Sequence, residues 1–86
     1  MSNSSISITI KLFAVYQEVY GKSELQLEIL PQTSVSQVLE GLIAEHPKLE
    51  QWRDRTRFGV NLEFVTPETI LQNGDEVVLV PPVSGG

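Results

Sequence analysis

The chain has no cysteine and a single histidine, and its last six residues read Pro81-Pro82-Val83-Ser84-Gly85-Gly86. Without a thiol it can form no thiolate nucleophile, no persulfide and no disulfide. His46 has no evident partners for a nucleophilic triad. The sequence shows no cluster of metal ligands, no acid/base constellation and no phosphate loop. The group left for chemistry is the terminal carboxylate of Gly86. A free carboxylate resists nucleophiles at neutral pH, but once it is given a leaving group its carbonyl carbon accepts attack. Glycine leaves that carbon unhindered and lets the backbone thread a narrow channel in another protein. At about 3.3 Å per extended residue, Pro82 to Gly86 reach roughly 16 Å, enough to enter a partner's active site while the domain stays outside. A frayed end would carry the same glycines with no such use.

The residues before the tail must position it. Gln72-Asn73-Gly74-Asp75 is a turn signal, because Asn and Gly tolerate positive φ and Asp bonds nearby backbone. Glu76 to Val80 is a short valine-rich run, predicted as a buried strand. Pro81-Pro82 stops it, since proline donates no ladder hydrogen bond, and favours an extended exit from the body. Asp75 and Glu76 resemble a carboxylate pair. As strand neighbours they would point to opposite faces, so turn chemistry and solvation account for them.

Length and charge narrow the field. Eighty-six residues with 41% hydrophobic content make one small domain. The boundaries expected are 1–81 for the domain and 82–86 for a flexible tail. A net charge of −5 argues against a nucleic-acid partner and suits a basic docking surface on a protein. No stretch is long and apolar enough to span a membrane, and Met1 to Ile10 lacks the basic-then-apolar pattern of a signal peptide. A cytoplasmic location is expected.

Ile6, Ile8, Ile10 and Leu12 alternate with polar residues, which predicts a half-buried strand. Gln17 to Tyr20 reads as a helical turn stopped by Gly21. Leu25, Leu27 and Ile29 alternate with Glu24, Gln26 and Glu28, giving a second strand, antiparallel to the first across a wide loop. Ser34 followed by Gln37 forms a capping box, with Thr33 as the alternative cap. Val35, Val38, Leu39, Leu42 and Ile43 then mark one apolar helix stripe, ended by His46-Pro47. Gly41 weakens that helix and suggests a close approach. Leu49 and Trp52 suggest a short helical turn with Trp52 as a core lid, within a solvated loop carrying Arg53, Asp54, Arg55 and Arg57. Phe58 to Val65 reads as a third strand region, and Ile70-Leu71 as a brief strand before the last.

Two strands, one helix across them and further strands predict a two-layer α+β domain of β-grasp type. Its mixed sheet has four to five strands packed on one main helix. The first and last strands belong at the centre, paired in parallel, because parallel neighbours need the long connection between them.

At this point the sequence resembles the small, sulfur-carrier subunit of molybdopterin synthase, within the ubiquitin-like β-grasp group. The resemblance runs over most of the chain. It begins at Ile10-Lys11-Leu12-Phe13-Ala14 and continues through Thr33-Ser34-Val35, Leu39, Leu42, Pro47 and Val60-Asn61. Its most specific parts are Asn73-Gly74-Asp75-Glu76-Val77 and the final PPVSGG. The chain departs from the usual pattern at Gln17-Glu18, where an arginine often precedes the glutamate, and at Gly59, where alanine is common.

The resemblance implies a carrier that is not catalytic alone and holds no permanent cofactor. An activating enzyme of the E1-like adenylyltransferase type would use ATP to adenylate the Gly86 carboxylate. A sulfur donor would convert it to a thiocarboxylate. The tail Pro82, Val83, Ser84, Gly85 and Gly86 would then enter the large catalytic subunit and give sulfur to cyclic pyranopterin monophosphate, within a heterotetramer. Phe13, Phe58 and Phe64 are the candidate docking patch, with packing in the core as the other reading. Sulfur carriage for thiazole (thiamine) synthesis, cysteine synthesis or tRNA thiolation, and conjugation to lysine as a protein modifier, are the alternative destinations.

Overall fold

The computed structural model describes residues 5–82. The first strand, β1, is Ile6–Leu12, and its alternation is realised: Ile8, Ile10 and Leu12 are buried while Ser7, Thr9 and Lys11 face away. A short helix, α1 (Val15–Tyr20), ends at Gly21, whose φ of 70° closes it in the left-handed conformation. Then β2 (Glu24–Ile29) returns antiparallel to β1, with Ile8 opposite Leu27 and Ile10 opposite Leu25.

The main helix, α2, is Val35–Glu45. Its capping box is complete: the Gln37 N–H donates to Ser34 Oγ at 3.3 Å, and the Ser34 N–H donates to Gln37 Oε1 at 2.8 Å. These bonds satisfy orphan backbone donors at the helix start. All five residues of the predicted stripe are buried, against the β1 and β5 side chains of the core.

Three local expectations need correction. The segment Pro47–Arg55 is a continuous 3-10 helix rather than a loop with one helical turn. Proline at its start supplies the fixed φ that such a helix needs, and the Arg53 guanidinium ties it to α2 by donating to Glu40 Oε1 at 3.0 Å. Phe58 to Val65 is a hairpin, not one strand: β3 (Arg57–Val60) and β4 (Glu63–Val65) are joined by Asn61-Leu62, with φ of 52° and 73°. Two positive-φ residues give the twist that a two-residue hairpin requires. Ile70 forms only an isolated bridge to Ser34, so Ile70-Leu71 is not a strand.

The last strand, β5 (Glu76–Val80), lies parallel to β1 and antiparallel to β3. The sheet order is β2-β1-β5-β3-β4, five strands with α2 across one face. The α+β β-grasp architecture and the central parallel pair are therefore as expected.

Tyr16 is fully buried and hydrogen-bonds Thr56, whose hydroxyl donates to the Trp52 carbonyl at 2.9 Å. Trp52 is half-buried against the core, so it serves as the lid inferred from its spacing. Burial raises the Tyr16 phenol above its ordinary value. Burial also raises Tyr20, helped by its bond to Glu45 Oε1 at 3.0 Å. The fold thus favours both phenols protonated. Above pH 10.0, the ordinary tyrosine value, the unfolded chain releases protons that the folded chain keeps. Stability is complete below that pH and is lost as pH rises beyond it. Thermal melts should show Tm falling above pH 10, and Tyr20→Phe should make the fall shallower.

Candidate functional site

The strand that leads to the tail is pinned at both ends, and its start is the more heavily bonded. Gly74, at φ 88°, sits in the turn that opens β5. The Asp75 N–H donates to the Gln72 carbonyl at 3.1 Å, and the Gln72 N–H returns a bond to Asp75 Oδ2 at 2.8 Å. The turn is tied to β1, where the Ser7 N–H donates to Asn73 Oδ1 at 2.8 Å and the Gly74 N–H to the Ser7 carbonyl at 2.7 Å. Asn61 closes the other side. Its Nδ2–H donates to Asp75 Oδ1 at 2.9 Å, and its Oδ1 accepts the Glu76 N–H at 3.0 Å. Asp75 is thus a turn brace, not half of a catalytic pair.

Asn61 and the Asn73-to-Glu76 stretch, far apart in sequence, form one clamp on the register of β5. A one-residue slip of β5 would move Val77 and Leu79 out of the core and turn the tail's exit to the wrong face. Asn61→Ala should cost about 2 kcal/mol, from two lost hydrogen bonds and a non-glycine side chain at positive φ. Asn61→Gly keeps the φ and loses only the bonds. A Tm for Asn61→Gly that lies between the wild type and the alanine variant would separate the two contributions.

The far end of β5 is the root of the tail. Leu12 of β1 lies beside Leu79 of β5, so Phe13 follows β1 next to Val80. A hollow of about 570 Å³ is lined there by Phe13, Ala14, Val15, Trp52, Val80, Pro81 and Pro82. Arg55 and Arg57 border the same root with Val80 and the two prolines. Pro82 is half-buried in this setting and is the last residue described. Val83, Ser84, Gly85 and Gly86, the rest of the predicted tail and its reacting carboxylate, lie outside the described residues.

The candidate docking aromatics separate. Phe13 is 49% and Phe64 72% exposed, whereas Phe58 is 5% exposed and belongs to the core under α2. The hairpin explains the split. Phe58 pairs with Val65 and Gly59 with Phe64, so the two phenylalanines, which share a parity, fall on opposite faces. Phe58 is therefore withdrawn from the docking patch.

The structure adds residues that sequence reasoning missed. Leu62, Phe64, Val78 and Val80 line a hollow of about 160 Å³ on the face away from α2. Val80 joins this hollow to Phe13 and Pro82, making one apolar surface that ends at the tail root. Leu62 is 90% exposed at φ 73°, a leucine held where neither burial nor backbone preference favours it. The alternation of Val78 and Val80 with Val77 and Leu79 was the signal available, but a valine run does not reveal which face is open. The other half of the same face is polar. Lys11 Nζ lies 2.8 Å from Glu24 and 3.7 Å from Glu76. The hydrogen bond and charge of Glu24 raise the Lys11 ammonium, and Lys11 lowers the Glu24 carboxyl. Among the described residues, no group of three His, Cys, Asp or Glu side chains is placed to hold a metal ion, and no helix is long and apolar enough to cross a membrane.

The chain is 34% identical over 83 residues to the molybdopterin synthase sulfur carrier subunit of Arabidopsis thaliana, covering 96% of this chain and 86% of that protein. It is 35% identical to the protein of that name from Chlamydomonas reinhardtii, covering 94% of this chain and all of that one (100%). Among solved structures it resembles SAMP1 from Haloferax volcanii, with a TM-score of 0.77, 32% identity, and coverage of 93% of this chain and 99% of that one. The profile of the ThiS family matches residues 10–86, from the middle of β1 through the final glycine, and the chain belongs to that family.

Proposed function

We propose that this protein is the sulfur carrier subunit of molybdopterin synthase and that Gly86 carries the sulfur as a terminal thiocarboxylate. The observation that supports this most is the convergence at the end of β5. The central strand delivers Pro81-Pro82 to the border of the apolar half of the open sheet face. A carrier needs this arrangement. The folded domain docks through the apolar surface while the tail, of roughly 16 Å, reaches an active site beyond it. Docking offsets the ordering of the tail, which costs on the order of 1–2 kcal/mol per residue.

The steps follow from carboxylate chemistry. The Gly86 carboxylate oxygen attacks the α-phosphorus of ATP on an E1-like activating enzyme, and pyrophosphate leaves. A sulfide equivalent from the sulfur donor then attacks the carbonyl carbon, AMP departs with the C–O electron pair, and a thiocarboxylate remains. In the large subunit that sulfur bonds to a carbon of cyclic pyranopterin monophosphate, water then attacks the acyl carbon and breaks its bond to sulfur, and the carboxylate is regenerated for another cycle. Two transfers supply the two sulfurs of the dithiolene. Phe13, Leu62, Phe64, Val78 and Val80 are the surface for the large subunit, within a heterotetramer. Leu62 fits this role because an outside contact would bury a side chain that the fold leaves in water. Pro82 to Gly86 enter the partner. The cationic groups that a phosphorylated pterin requires are supplied by that partner, since this chain has a net charge of −5. A cytoplasmic setting suits a chain without cysteine.

Intact-mass measurement tests the reading. After incubation with ATP, sulfide and the host's activating enzyme, the chain should gain the mass of one sulfur-for-oxygen exchange. On adding the large subunit and cyclic pyranopterin monophosphate, the gain should disappear as dithiolene forms. No gain with partners shown to be active would overturn the sulfur-carrier assignment. Gain without transfer to the pterin would redirect it to thiazole, cysteine or tRNA sulfuration. Covalent lysine adducts on denaturing gels would favour a protein modifier.

A further inference from the structure

A second surface lies at the opposite edge of the sheet from β4. It is a groove of about 380 Å³ between β2 and α2, with Leu27 and Ile29 on one wall and Val38 and Leu42 on the other. Gly41 lies on the helix wall between Val38 and Leu42, and Glu28 and Glu45 also line the groove. We propose that this groove is a docking site for an extended peptide segment of alternating basic and apolar residues, which would add to the sheet as a strand beside β2.

Three observations carry the proposal. The first is the free edge. Ser7 and Thr9 turn their backbone groups toward the β5 side, where the Gly74 N–H donates to Ser7 at 2.7 Å and the Thr9 N–H to Asp75 at 3.0 Å. The bonds from β1 to β2 therefore come from Ile8 and Ile10, opposite Leu27 and Leu25. On β2 the alternate residues Glu24, Gln26 and Glu28 direct their N–H and C=O groups outward. The sheet has no strand beyond β2 among the described residues. A row of unpaired donors and acceptors is a template for another strand.

The second is Gly41. A glycine inside an exposed helix turn destabilises it relative to alanine. Sequence reasoning attached it to a close approach, but a Cβ built there meets nothing within 4 Å. No contact in the described chain accounts for it. What a side chain at this position would occupy is the groove itself, so the glycine keeps the groove open.

The third is charge. Glu28 is exposed on the open face, with Gln26 between it and Glu24, which Lys11 already pairs at 2.8 Å, and Glu45 lines the groove on the helix side. Lysine or arginine at alternate positions of the incoming strand would face these carboxylates, and the intervening apolar residues would enter the groove. A second copy of this chain is disfavoured in the symmetric register. Two β2 strands paired antiparallel about Gln26 would set Glu24 of each against Glu28 of the other, and like charges directly opposite are destabilising.

The test is an NMR titration of the full-length ¹⁵N-labelled chain. The probe is a short acetylated peptide alternating lysine with valine or isoleucine; the control replaces each lysine with glutamate. Binding should shift the amides of Glu24 to Leu30 and of Val38 to Leu42, and should slow amide exchange at Gln26 and Glu28. Gly41→Leu should raise Tm by improving the helix, leave sulfur uptake at Gly86 unchanged, and weaken the peptide by about tenfold or more. The variant keeps every charge, so nonspecific attraction would survive it. The proposal is overturned if β2 amides do not shift, if the shifts fall on Phe64 and Val80 instead, or if the glutamate peptide or the Gly41→Leu variant binds equally well. A peptide-free dimer that Gly41→Leu dissociates would assign the groove to a second copy and overturn it also.

Discussion

A chain lacking Gly85 and Gly86 should melt at the temperature of the full-length protein and take up no sulfur at all. The two parts of this expectation rest on different physics. Among the described residues, Leu79 is the last fully buried side chain, and the ladder of β5 ends at Val80. Glycine adds no apolar burial, and fixing it costs more backbone entropy than fixing any other residue. Chemistry, by contrast, depends on where the carboxylate is. Removing two residues withdraws it by about 7 Å, at roughly 3.3–3.6 Å per residue, and leaves Ser84 as the terminus. Adding one alanine after Gly86 should be equally inactive, because it moves the carboxylate forward and places a methyl group beside it. Intact mass after reaction with ATP, sulfide and the activating enzyme reads both variants. Sulfur uptake by the shortened chain would show that the acceptor is not Gly86. A large loss of Tm would show that the glycines belong to the fold.

Phe58→Ala and Phe64→Ala should fail in opposite ways. Phe58 is 5% exposed in the core beneath α2. Its truncation leaves a cavity and should cost about 3–5 kcal/mol, a large part of the 5–15 kcal/mol typical of a small domain. Phe64 is 72% exposed, so its truncation should change stability by no more than about 0.5 kcal/mol. If Phe64 anchors the large subunit, it should weaken that complex by about 2 kcal/mol or more, roughly thirtyfold. Denaturant titration gives the first quantity and calorimetric titration with the large subunit the second. Full affinity for Phe64→Ala, at unchanged Tm, would sink the assignment of the apolar half-face.

Much of this architecture was legible because it is local. The alternation of Ile6 to Leu12 and of Glu24 to Ile29, the Ser34–Gln37 capping box and the Val35-to-Ile43 stripe each depend on residues within a few positions. The parallel pairing of β1 with β5 was also accessible, since the connection between them is long enough to allow it. The family resemblance followed from the Asn73-to-Val77 turn and the closing PPVSGG, motifs that are contiguous in the chain.

The misses were equally systematic. Phe58 and Phe64 have the same parity, and periodicity alone puts them on one face. The Asn61-Leu62 turn reverses the chain and inverts that relation. Asn61 suits positive φ but leucine is unusual there, so Asn61-Leu62 does not read as a two-residue hairpin turn. The 3-10 segment was obscured for a similar reason: its anchors, the Arg53–Glu40 pair and the Thr56 hydroxyl between Tyr16 and Trp52, join residues far apart in sequence.

By itself, then, the sequence determined β1, β2, α2 and β5, the absence of a thiol, and the terminal glycine whose carboxylate is the proposed sulfur acceptor. These are properties of residue type and short-range spacing. Only the tertiary structure decided that Asn61 clamps the start of β5, that Phe13, Leu62, Phe64, Val78 and Val80 form one apolar surface at the tail root, and that the β2 edge stands open beside Gly41. Those facts follow from strand order and turn geometry, which bring distant residues together and set the face each one occupies.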